Sequence, residues 1–102
     1  MSDALYIRQG RGKVLDITAA TQVLVVSPDQ ARGQARVQRV IVTTAGSTVG
    51  SVNDSATIAG ATEANQIAAI PNVVGPILID FPILAGLVIT PGEGQVVNVT
   101  YD

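Results

Sequence analysis

Histidine and cysteine are both absent from this chain. A Ser-His-Asp or Cys-His site is therefore excluded outright, as are a disulfide framework and a thiolate metal site. Without cysteine the composition also says nothing about redox compartment. Aromatic residues are nearly missing. Tyr6, Phe81 and Tyr101 are the three, so the core must be built from Val, Ile, Leu and Ala, and there are no stacking platforms beside a basic groove to hold a nucleic acid. Charge is scarce too: 14% of residues are charged, against roughly 25% in ordinary soluble domains. A thin polar skin with 47% hydrophobic residues points to surface hidden against other subunits. Asp80 interrupts the longest apolar candidate, so no membrane span is expected. MSDALYIRQGRGK has no basic region followed by an apolar run and does not read as a signal peptide.

The few charges are unevenly placed. Residues 1–51 hold all six basic groups (Arg8, Arg11, Lys13, Arg32, Arg36, Arg39) against Asp3, Asp16 and Asp29, a balance of +3. Residues 52–102 hold five acids and no base (Asp54, Glu63, Asp80, Glu93, Asp102), a balance of −5. The asymmetry fits attraction between neighbouring copies or onto a charged scaffold. The opposing expectation is that folding interleaves the halves and cancels it.

At 102 residues the chain is one domain, small enough for self-association to add much of its stability. Its clearest stretch runs from Leu87 to Tyr101: LVIT, then PGEG, then QVVNVTY. Pro91-Gly92 suits the centre of a type II turn, and Val97, Val99 and Tyr101 alternate with Asn98 and Thr100, so a hairpin is expected. Upstream, Leu5 to Arg8 reads as a short strand, QGRGK as a mobile turn and Val14 to Ile17 as a strand. Thr21 to Val26 is apolar on both faces and so central or at a subunit contact. Residues 27–34 read as a surface loop. Arg36 to Thr44 alternates except at Gln38-Arg39, where a bulge would bring Val37 to the side of Val40 and Val42. Thr48 to Asn53 follows the turn at residues 45–47, residues 53–63 read as a long exposed loop or weak strand pair, and Asn65 to Ile70 reads as a strand. Ile77, Ile79 and Phe81 share a face of the next strand, which Pro82 keeps from a central position. About eight short strands with turns every 8 to 12 residues predict an all-β, single-domain antiparallel β-sandwich, jelly-roll-like, over residues 1–102, with 1–13 as a possible N-terminal arm.

No motif carries chemistry. Gly10-Arg11-Gly12-Lys13 fails as a phosphate loop, because Ile7 stands at the first Gly position and Val14 at the Ser/Thr position. Asn53-Asp54-Ser55 has too few oxygen ligands nearby for calcium and reads as a turn. It also matches the glycosylation sequon, as does Asn98-Val99-Thr100; both are discounted without a secretion signal. Asp16, Asp54, Glu63, Asp80 and Glu93 are scattered without local pairing, so no enzyme and no cofactor is expected.

GSVNDSATIAGATEANQIAAIPN (residues 50–72) and GPILIDFPILAGLVITPGEGQVVNVTYD (residues 75–102) resemble a group of small tailed-bacteriophage virion proteins. The resemblance covers about half the chain and rests on turn and strand residues. It implies a capsid decoration or cement protein, made in the bacterial host cytoplasm and seated on the capsid surface against the major capsid protein. Low charge, aliphatic surplus and two-sided strands separately favour a homo-oligomer, a trimer or dimer, with no direct nucleic acid or membrane partner. Capsid contact is expected from Arg8, Arg11 and Lys13 on the arm and from Arg32, Arg36 and Arg39. The alternatives are a tail or spike component binding a receptor or carbohydrate, and a tail-tube or connector protein.

Overall fold

The computed structural model describes residues 12–26 and 35–102. The expected strand Leu5 to Arg8, the loop at 27–34, and with them Arg8, Arg11 and Arg32 lie outside the described residues. Eight strands follow one another: β1 (Gly12–Ile17), β2 (Thr21–Val25), β3 (Ala35–Thr44), β4 (Gly50–Asp54), β5 (Gln66–Ile70), β6 (Gly75–Ile83), β7 (Gly86–Thr90) and β8 (Val96–Tyr101), with a single 3-10 turn at Glu63–Asn65. Gly12 and Lys13, expected in a turn, open β1.

The strands form two four-stranded sheets, ordered β1-β8-β3-β6 and β2-β7-β4-β5, with every pair antiparallel. First pairs with eighth, second with seventh, third with sixth and fourth with fifth. The chain doubles back at its middle, and the doubled ribbon wraps into two layers. This nested pairing is the jelly roll.

The core between the sheets is aliphatic, as the shortage of aromatics required. Val37, Val40, Val42, Val97 and Val99 of the first sheet meet Val52, Ile70, Leu87 and Ile89 of the second. Burying each such side chain contributes about 1.5–3 kcal/mol relative to leaving it in water. The bulge in β3 is present: pairing with both β6 and β8 shifts between Val37 and Arg39, and Val37, Val40 and Val42 all point inward.

The expected C-terminal hairpin does not form. β7 and β8 belong to different sheets, and PGEG carries the chain from one to the other. β7 is hydrogen-bonded on its two edges to β2 and β4 instead, and its faces are covered as well, Leu87, Val88 and Ile89 each being 0% exposed. The turn also sits two residues later than expected. The Gln95 N–H donates to the Gly92 carbonyl at 3.0 Å, and Gly94, at φ +79, supplies the left-handed position. Gly92 serves a close approach instead: a Cβ there would lie 1.8 Å from the Thr48 carbonyl oxygen.

Two further expectations are narrowed. β2 is an edge strand, which excludes the central one of the two places expected for it, and Val25 is 57% exposed. The stretch after Asn53 is not simply an exposed loop, because β4 continues through Asp54 and both Asn53 and Ser55 are buried.

The edges of the first sheet, β1 and β6, are both interrupted. Pairing shifts between Val14 and Ile17 of β1 and between Leu78 and Phe81 of β6. Asp16 (φ 57) and Asp80 (φ 46) occupy left-handed backbone at these two places, a conformation Asp tolerates better than most residues. Pro82 lies on an edge strand, as its missing N–H demands. Phe81 pairs in register with buried Val37 but stays 46% exposed at this rim.

Candidate interaction surface

At one end of the sandwich, side chains lock three loops together. The Gly46 N–H donates to Asn72 Oδ1 at 2.6 Å, and Asn72 Nδ2 donates back to the Gly46 carbonyl. Buried Gln95 donates from Nε2 to the Pro71 carbonyl at 3.0 Å and accepts from the Gly92 N–H at 2.9 Å. The Glu93 N–H donates to Thr48 Oγ1, and the Ser47 N–H to the Glu93 carbonyl. From these braced loops Val49, Val73 and Val74 stand more than half exposed.

The opposite end is closed by Asn53, Asp54 and Ser55. The Asp54 carboxylate accepts from the N–H groups of Leu84, Ala85 and Gly86 at 2.8–3.2 Å. Asn53 Nδ2 donates to the Thr62 carbonyl and to Asn65 Oδ1, and Ser55 Oγ donates to the Thr57 carbonyl. Gln22 Nε2 faces three carbonyls, those of Leu24, Ser55 and Leu87. The three oxygen-bearing residues are thus spent on the chain's own backbone and side chains. Among the described residues no three carboxylates converge.

The excursion at 55–65 folds back over the second sheet. Asn53 is in register with Val88, whose neighbours Leu87 and Ile89 point into the core, so both side chains lie on the outer face. The bonds from Asn53 draw Thr62 and Asn65 over that face, where Val88 is fully buried. The rest of the face is a shallow groove of ≈ 390 Å³. Its floor is the row Ala69–Ser51–Thr90 across β5, β4 and β7, and Thr48, Gln66 and Glu93 rise around it.

The outer face of the first sheet is different. One row across β1, β8, β3 and β6 reads Lys13, Thr100, Arg39, Leu78, and the next reads Asn98, Ile41, Pro76 across β8, β3 and β6, with Leu15 in the irregular stretch of β1. Lys13, Leu15, Arg39, Pro76 and Leu78 are exposed. Of the six cations expected to contact a capsid, the fold brings Lys13 and Arg39 onto this one face. Arg36 is used within the chain: Nε and Nη2 lie 3.1 Å from Asp80 Oδ1, and Nη2 also donates to the Asp80 carbonyl. It braces the left-handed residue of β6 rather than facing outward unpaired.

Among the described residues, nine large apolar side chains are exposed: Leu15, Val25, Val49, Ile58, Val73, Val74, Leu78, Phe81 and Leu84. Sequence reading missed the groove, because Ser51 and Thr90 are 39 residues apart and nothing local announces their pairing. Comparisons of the chain with protein-family models, with curated proteins and with solved structures found no match.

Proposed function

We propose that this protein is a non-enzymatic structural component of a bacteriophage virion, a decoration or cement subunit that grips the capsid surface as a homo-oligomer. The observation that carries the reading is the set of nine exposed large apolar side chains on a sandwich whose loops are braced. Rigid loops presenting apolar groups lose little conformational entropy on docking, and each Å² of apolar surface buried contributes about 25 cal/mol before ordering costs. The jelly roll supports the same reading, since it recurs in capsid domains, though it also recurs in lectins and cannot assign a role alone. The resemblance of residues 50–102 to small tailed-phage virion proteins supplies the particle. Asn53, Asp54 and Ser55, the densest polar cluster, are consumed in holding the fold.

Cosedimentation tests this. Purified protein mixed with phage heads stripped of accessory subunits is expected to pellet with them, and electron microscopy of the pellet is expected to show added density on the capsid shell. Protein that stays in the supernatant while binding glycans would overturn the reading in favour of a tail or spike module.

A further inference from the structure

Folding interleaves the two halves of the chain: the first sheet carries Lys13, Arg36 and Arg39 together with Asp16, Asp80 and Asp102, so its charges balance, whereas Asp54, Glu63 and Glu93 on the second layer have no base beside them among the described residues. Lys13 and Arg39 have no ion-pair partner among the described residues and flank Thr100 on the outer face of the first sheet. With strands about 4.8 Å apart they stand about 10 Å from each other. Leu15 and Leu78, 56% and 68% exposed, lie beside them. The carboxylates on the same sheet are Asp16 at the edge bulge of β1, Asp102 just after β8, and Asp80, which is held by Arg36. On the other layer, exposed Glu93 borders the groove, and exposed Glu63 sits in the excursion over the same sheet.

The edges of the first sheet do not suit association by strand addition. Left-handed Asp16 and Asp80, Pro76 and Pro82 break the straight hydrogen-bonding rims that addition needs. Its faces remain. The described residues span 44 × 29 × 17 Å, and the about 800 Å² per partner of an ordinary stable contact fits within one broad face.

We propose that the Lys13–Arg39 face of one copy docks on the groove-bearing face of a second copy, so that a basic side chain of the first enters the groove and meets Glu93 of the second. This deepens the homo-oligomer reading, on which it rests, by naming the surfaces. Such a contact joins two different patches and therefore repeats head to tail, into a ring where the rotation between copies closes and into an open stack where it does not, rather than ending at a two-fold dimer. The site is incomplete in a single copy, since the groove supplies the carboxylate and hydroxyls of Ser51 and Thr90 while the neighbour supplies the cation.

Sedimentation equilibrium of the full chain tests it. Wild type is expected to self-associate head to tail, and less tightly as salt is raised. K13E/R39E is expected to raise the dissociation constant about ten-fold or more, and so is E63K/E93K. Combining all four substitutions is expected to restore association, which a purely structural effect of any one would not. Zero-length carbodiimide coupling should give an intermolecular Lys13–Glu93 product. An oligomer indifferent to K13E/R39E, or one that the four-fold variant fails to restore while circular dichroism shows it folded, overturns these surfaces and leaves the oligomer reading intact. A wild-type monomer at every concentration overturns both.

Discussion

Asn72 and Gly46 bond to each other in both directions, side-chain amide to backbone, across the β3–β4 and β5–β6 loops. No other residue type of that size offers a donor and an acceptor in one plane. Gly46 is equally constrained, because a Cβ there would meet the Glu93 carbonyl oxygen at 2.1 Å. Asn72→Ala strands a partly buried N–H and carbonyl and is expected to cost about 1–3 kcal/mol in urea unfolding. Asn72→Asp keeps the acceptor only and should fall between wild type and Ala.

Asp54 fastens the opposite end. Its carboxylate collects three consecutive backbone N–H groups where the chain passes from β6 to β7, and hydrogen bonds to a charged acceptor are roughly twice as strong as neutral ones. Asp54→Ala is expected to destabilise the fold by about 2–4 kcal/mol. Hydrogen exchange should report the loss as faster exchange of the Leu84, Ala85 and Gly86 amides, with the β3–β8 ladder little changed.

Asp16 separates backbone strain from side-chain contact. Its N–H donates to Asn98 Oδ1 at 2.9 Å, a bond any non-proline residue keeps, while its φ of 57 suits Gly better. Asp16→Gly is expected to leave the melting temperature near wild type. Asp16→Val, which resists left-handed backbone, is expected to cost about 1–2 kcal/mol.

Val73 and Val74 test the proposed docking rather than the fold. Both are more than 60% exposed, so V73S/V74S should shift stability by no more than about 0.5 kcal/mol. The same variant should be recovered in the supernatant of the capsid cosedimentation assay. Retention equal to wild type would remove this tip from the contact.

Period-two patterning exposed the strands and not their partners. The slip at Gln38-Arg39 was visible because Val37, Val40 and Val42 cannot share a face without a bulge, and Pro82 announced an edge through the N–H it lacks. PGEG, by contrast, has the same turn chemistry whether it closes a hairpin or crosses between layers. What decides the matter is that β2 and β4 take the two edges of β7 while β1 and β3 take those of β8, and those strands lie far away in the chain. β2 misled for a related reason. Its pairing with β7 shifts between Gln22 and Leu24, and Val23, Leu24 and Val26 all pack partly against the core, so a strand apolar on both faces still sits at an edge.

The surface was less legible than the core. Lys13 and Arg39 become neighbours only because β8 pairs with both of their strands. Arg36 was separated from that pair by Asp80, 44 positions away, and no local signal distinguishes it from Arg39.

The nested order of strands also has a bearing on timing. β8 lies between β1 and β3 in the first sheet, so during synthesis β1 has no neighbour to join until Val96–Tyr101 has left the ribosome. Only β4 and β5 pair with a strand adjacent in the chain, which makes them the natural seed and the rest a slow, long-range closure. A sandwich built this way cannot complete either layer from its first half alone, and its first sheet stays open until β8 has emerged.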